Sequence, residues 1–174
     1  MKKRHFYKGF TLVELVVTLA VASIILSIAV PSFRNMIQNN RATTYANQFI
    51  ADLSLARIEA IKRGETVYMT SVGSNWNDGW RIWVDADGDD NYDSGEEIKE
   101  TAKLQNDATL TNDSGLTQIG FLSTGLIDLE ALEPGAPAWP STFSLRIPDC
   151  SGDQGRDIQL HQTGRPTTET VYCT

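Results

Sequence analysis

Histidine and cysteine are scarce in this 174-residue chain, with two of each. His5 lies in a basic N-terminal stretch and His161 in a predicted strand, and neither has a serine or an acid at a nucleophile's spacing. Triad chemistry, a phosphate-cradling loop and a paired-carboxylate signature are all missing, so an enzyme is not expected. Cys150 and Cys173 have no CxxC or Cys/His neighbours, which argues against a zinc-type site. In an oxidising compartment they would close a loop of about 24 residues, worth about 3 kcal/mol by the chain-entropy account. The alternative is two unpaired buried thiols.

Acid is absent from the first nine residues, where Lys2, Lys3, Arg4 and Lys8 all lie. The formal net charge is −7. Without those four cations, eleven bases face 22 acids and the remainder carries about −11. A body that acidic repels phosphate backbones, so nucleic-acid binding would need a local basic patch.

Glycine and proline are missing from residues 10–30, FTLVELVVTLAVASIILSIAV, whose one charge is Glu14. At about 1.5 Å per residue the segment spans about 30 Å as a helix, enough to cross a bilayer. The preceding cations hold the N-terminus in the cytoplasm and send everything after Pro31 to the other side. An ordinary cleaved secretory signal would also be basic and then apolar, and small-residue patterns occur between Ala22 and Ala29. Against that reading stand Glu14, costly to insert in lipid unless it has a partner, and a helical period that continues past Pro31.

Beyond Pro31, Ala42, Ala46, Phe49, Leu53, Ala56 and Ala60 recur at spacings of four and three, which predicts one apolar stripe packed on a sheet. Arg41, Asn47, Asp52, Arg57, Glu59 and Lys62 are assigned to the wet face. Gly64 ends the helix, after Lys62 and Arg63 in its last turn. Strands are predicted at 66–72, 79–84, 97–104, 117–122, 143–147, 157–162 and 168–173. Trp80, Ile82 and Val84 alternate with Arg81, Trp83 and Asp85, as in a strand with one face on the core. On that pattern Trp76, Trp80, Trp83 and Trp139 pack rather than stack on sugars or bases.

Gly9-Phe10-Thr11-Leu12-Val13-Glu14, behind a basic leader and ahead of Pro31, resembles the class III signal of type IV pilins and pseudopilins. The run Leu55-Ala56-Arg57, Glu59-Ala60, Lys62-Arg63-Gly64, then Trp76, Gly79-Trp80 and an Asp-rich loop ending at Gly95-Glu96, resembles the GspH/FimT branch of minor pilins and pseudopilins. The likeness covers most of residues 4–104. It implies an α+β, type IV pilin-like lollipop: a long N-terminal helix, half membrane-spanning and half amphipathic, packed on an antiparallel β-sheet domain. The parts would be a leader (1–9), a membrane and filament-core helix (10–30), an amphipathic helix (31–64) and a β-rich extracytoplasmic domain (65–174).

The resemblance further implies that a prepilin peptidase cuts between Gly9 and Phe10, that the amine of Phe10 is then methylated, and that Glu14 pairs with the N-terminal amine of a neighbouring subunit. Pro31 stands where the family carries a helix-kinking proline. The chain would be a single-pass inner-membrane protein with a periplasmic domain, and its partners other minor and major pilins or pseudopilins. As function it implies a minor pilin of FimT/FimU type that primes or caps a type IV pilus. A GspH-like minor pseudopilin of type II secretion is the alternative, and a DNA-binding minor pilin for uptake is a second.

Two further motifs bear on ligands. Asp85, Asp87, Asp89, Asp93 and Glu96 fall at positions 1, 3, 5, 9 and 12 of a calcium-type loop. Position 6 is Asp90 where such loops carry glycine, and a strand precedes it, so a solvated hairpin tip is the competing reading. No cofactor is required; Ca2+ is the one candidate. Gly164-Arg165-Pro166-Thr167 keeps the Gly and first Arg of the Gly-Arg-x-Arg motif of DNA-capturing FimT-like pilins and lacks the second. Arg146, Arg156 and His161 would have to complete a patch around Arg165.

Overall fold

The computed structural model describes residues 9–86, 88, 91–129, 139–150 and 152–173. The basic leader cations, Asp87 and Asp89 lie outside that set. The chain divides into two units, Met1–Ile37 and Gln38–Thr174.

One helix, α1, runs Leu12–Arg63, 52 residues without interruption at Pro31. In the first unit its apolar side chains, from Phe10 to Ile37, are exposed, and by length and composition the segment can cross a membrane. Three hydroxyls there bond back to the helix: those of Thr18, Ser23 and Ser27 donate to the carbonyls of Leu15, Ala20 and Ile24 at 2.8, 2.8 and 2.7 Å. Polar groups bonded back to the helix cost little in a bilayer.

In the second unit α1 lies on two antiparallel sheets. Strands β1 (Val67–Ser71), β2 (Gly79–Val84), β3 (Glu97–Ala102) and β5 (Gln118–Phe121) form one, in the order β3-β2-β1-β5. Strands β4 (Thr109–Asn112), β6 (Ser141–Arg146), β7 (Gly155–Leu160) and β8 (Pro166–Val171) form the other, in the order β4-β6-β7-β8. The expected single sheet is therefore two. The sequence reading also missed β4, a four-residue strand in which only Leu110 is buried.

The predicted stripe from Ala42 to Ala60 is buried throughout. Phe49 ties the layers together: its ring meets Trp76 and Trp80 edge-on, at 5.5 and 5.1 Å, and Phe143 of the second sheet at 5.0 Å. Fully buried aromatics each remove a large apolar area from water, and edge contacts add to that. Gly64, at φ +75°, closes the helix by donating its N–H to Ala60 O at 2.9 Å.

The Trp76-x-x-Gly79-Trp80 motif has a geometric reason. Trp76–Asp78 make one 3-10 turn, and the chain enters β2 through Gly79 at φ +106°. A Cβ there would lie 2.5 Å from Thr101 O of the neighbouring strand, so only glycine fits.

Cys150 and Cys173 are joined, with Cα atoms 6.0 Å apart, and Cys173 N–H donates to Gly152 O. The bridge holds the end of β8 to the β6–β7 connection. The alternative of two free thiols is overturned. Reduction is expected to destabilise the domain by about 3 kcal/mol and to expose 166–171 to protease; equal digestion with and without reductant would contradict this.

Candidate assembly site

The helix N-terminus carries the first functional group. Thr11 precedes α1, and its backbone N–H and hydroxyl both donate to Glu14 Oε2, at 2.9 and 2.8 Å, while Glu14 N–H donates to Thr11 Oγ1 at 3.2 Å. This is a reciprocal capping box, Thr-x-x-Glu, which satisfies donors that a helix start leaves open. Glu14 thus has a structural task within its own chain besides any role toward a neighbour. The motif is readable in the sequence as Thr11 followed three residues later by Glu14.

The second group is a buried acid that the sequence reading placed in water. Asp52 is only 1% exposed. Its carboxylate accepts from Trp80 Nε1 (2.9 Å), Thr101 Oγ1 (2.8 Å), Gln48 Nε2 (3.0 Å) and Lys99 Nζ (2.5 Å), tying α1 to β2 and β3. Burial works to raise its pKa, but the bonds from Lys99, Gln48, Trp80 and Thr101 outweigh it and hold the carboxyl below the usual range. Arg57, also assigned to the wet face, is half-buried and donates through Nε to Gly125 O. Glu59 is held low by Arg63 and Lys62, its ion-pair partners one turn on.

Trp83 packs, as expected of it. It points away from Trp80 and Ile82, yet is buried, stacked on Tyr68 at 4.7 Å and capped edge-on by Tyr92 at 6.0 Å. Its indole N–H donates to Thr70 Oγ1 at 3.0 Å. Arg81 lies 4.0 Å over the Tyr92 ring and pairs with Glu100, which raises its pKa. Tyr92, from the Asp-rich loop, thus lies over the outer face of the first sheet.

Glu96 fixes the base of that loop: one carboxylate oxygen accepts from Ala86 N–H and the other from Asp93 N–H, both at 2.8 Å. Asp85 Oδ1 accepts from Gly88 N–H at 2.7 Å. Among the described residues no three potential metal ligands gather.

Arg165 is exposed in the turn between β7 and β8, but the companions expected for it are elsewhere. Arg156 is buried and donates to Asn39 Oδ1 and Thr43 Oγ1 of α1 and to the carbonyls of Asp153 and Gly155. Arg146 pairs with Asp157 at 2.8 Å. The last rung of the hairpin is Leu160–Pro166, and Arg156 lies four residues, about 13 Å, back from it. Only half-buried His161, which contacts Thr167 at the start of β8, stays near Arg165. The four-residue basic patch does not form.

Residues 45–164 match the family model described as Type II transport protein GspH, and residues 4–30 match that of the prokaryotic N-terminal methylation motif. The chain belongs to the GspH family. The pilin-like protein PilA1 of Thermus thermophilus is 30% identical over 165 residues, covering 93% of this chain and 98% of that one. The fold is shared with the type IV minor pilin FimU of Pseudomonas aeruginosa, at a TM-score of 0.56 and 21% identity over 73% of this chain and 91% of that one. It is also shared with the minor pseudopilin EpsH of the type 2 secretion system of Vibrio cholerae, at 0.53 and 16% over 75% and 97%. GspH-family chains are structural subunits, not enzymes, and this one is a pilin-like or pseudopilin subunit with an N-terminal methylation motif.

Proposed function

We propose that the chain is a minor pilin that primes or caps a type IV pilus. The observation that carries this is the relative matched along almost the whole of both chains, which is named pilin-like. On this reading a prepilin peptidase cuts between Gly9 and Phe10, the amine of Phe10 is methylated, and the subunit waits in the inner membrane with its β-domain in the periplasm. It leaves the bilayer when its apolar helix exchanges lipid for the helices of neighbouring pilins. Glu14 then meets the amine of an adjacent subunit, which neutralises a carboxylate otherwise costly in an apolar surround.

A GspH-like role in a type II secretion pseudopilus is the second reading, favoured by the GspH model spanning residues 45–164. Deletion distinguishes the two. Loss of surface pili and twitching with normal secretion is expected; lost secretion with intact pili would replace the first reading by the second. DNA capture through Arg165 stands behind both, since the companion cations are engaged elsewhere.

A further inference from the structure

Arg156 is a buried cation whose charge the fold leaves without an opposite one. It is 8% exposed on β7, and the acceptors around its guanidinium are all neutral. They are the carbonyls of Asp153 and Gly155 at 3.1 and 2.9 Å, Asn39 Oδ1 at 2.6 Å and Thr43 Oγ1 at 3.2 Å. These bonds occupy both terminal nitrogens and supply no negative charge. A buried arginine ordinarily has an acid beside it, and among the described residues none pairs with this one. Asp157 is held by Arg146. Glu169 stands opposite Asp157 in the β7–β8 ladder, so strand alternation puts its side chain on the face turned away from α1. Asp153 is exposed and gives Arg156 only its carbonyl. Arg41 lies two residues before Thr43, on the opposite side of α1.

Arg156 lines a cavity of about 120 Å³ between α1 and β8, together with Thr43, Ala46 and Asn47 of the helix and residues 168–170 of the strand. That is far more room than the roughly 15 Å³ one water needs. β8 is also an edge of its sheet, with residues 167–170 exposed and Glu169 its one charge. The outer N–H and C=O groups of an edge strand are a template for a further strand. Thr170 pairs with Arg156 and Thr168 with Ile158, so both threonines are on the α1 face, at the rim of the cavity. A strand added to β8 would set its own inward side chains beside them.

We propose that an extended segment of a neighbouring, different pilin adds to β8 and sets an aspartate or glutamate side chain into this cavity, where it pairs with Arg156. This rests on the reading of the chain as a minor subunit whose neighbours are other pilins, and adds the contact its β-domain makes with one of them. Main-chain bonds along the edge supply the attachment. The carboxylate fixes its register, because only one inward position of the added strand can meet the guanidinium.

The test uses the full-length chain in its own cells, with the photo-cross-linker p-benzoylphenylalanine in place of Thr167, which is exposed on β8 and does not line the cavity. Irradiation is expected to join it to a different pilin, at an extended segment that carries Asp or Glu. Arg156→Gln should lower the adduct yield at least about tenfold. Because that change also removes bonds to α1, Asn47→Glu is the second variant. At an exposed helix position it brings the chain's own carboxylate to Arg156, and it should lower the yield as far. Asn47→Gln, of the same bulk and uncharged, should leave the yield within about twofold. Entry of the subunit into sheared fibres is scored separately on immunoblots. Entry without an adduct overturns the docking proposal and leaves the subunit reading standing. So does an adduct to a second copy, to a protein that is not a pilin or at a segment without an acid, and so does a yield that either charge-changing variant leaves unmoved. A chain that never enters a fibre overturns both.

Discussion

Glu14→Gln is expected to be processed like the wild type and to drop out of the fibre, its incorporation falling at least about tenfold. Glutamine keeps the side-chain oxygen that Thr11 N–H and Oγ1 now share, so the helix start stays capped. What it lacks is the negative charge. A tenfold loss corresponds to about 1.4 kcal/mol, well within what an amine left unpaired among apolar helices would cost. Glu14→Ala removes cap and charge together and should do worse. The comparison separates the two tasks of one residue. Leader cleavage followed by mass, together with the ratio of fibre to membrane subunit on immunoblots, reads the result. Normal incorporation of the Gln variant would remove pairing with a neighbour's amine from the mechanism.

Asp52→Ala is expected to destabilise the β-domain by about 3 to 5 kcal/mol, the cost of breaking a buried charged network from one side. Trp80 Nε1, the Thr101 hydroxyl and the Lys99 ammonium would each lose their acceptor inside or at the edge of the core. Against a typical total of about 5 to 15 kcal/mol this is enough to unfold a marginal domain. Asp52→Asn keeps an acceptor for Trp80 and should cost less. The pH dependence has a definite sign. The folded carboxyl titrates below its unfolded value, so its contribution is complete above about pH 4 and is lost as pH falls through the folded pKa. Denaturant unfolding of wild type and both variants at pH 7 and pH 3 measures this. A wild type as stable at pH 3 as at pH 7, or an Ala variant within about 1 kcal/mol of it, would show that the network is not stabilising.

Those residues also show why the sequence was legible in some places and opaque in others. The Ala42 to Ala60 stripe could be read because small apolar residues repeat at the helix period and nothing polar competes with them. Asp52 lies three residues from Phe49 and four from Ala56, on the same side of the helix, and only its charge argued for water. Three of its four partners come from residues 28 to 49 positions away, which no local pattern reveals. Trp83 packs as expected, but on the face that period-two alternation leaves to solvent. Tyr92, from a loop whose acidity suggested solvent, covers that face instead.

The strands β6, β7 and β8 begin two residues earlier than the turn residues suggested. Pro166 can open β8 because that strand is at a sheet edge, where a missing N–H costs no ladder bond. β4 was lost because four residues with one buried side chain carry too little period to stand out. The N-terminal methylation motif within residues 4–30 and the Thr11–Glu14 cap are local features, and both are readable from sequence.

Phe49 touches aromatic rings from both halves of the β-domain, and nearby α1 is tied crosswise to the first sheet through Asp52 and to the second through Asn39 and Thr43. A pull along the axis of α1 is therefore shared between two sheets and meets these links side by side, not one after another as in a zipper. A fibre under tension would load its subunits in that direction, and the domain yields only when several of these links break together.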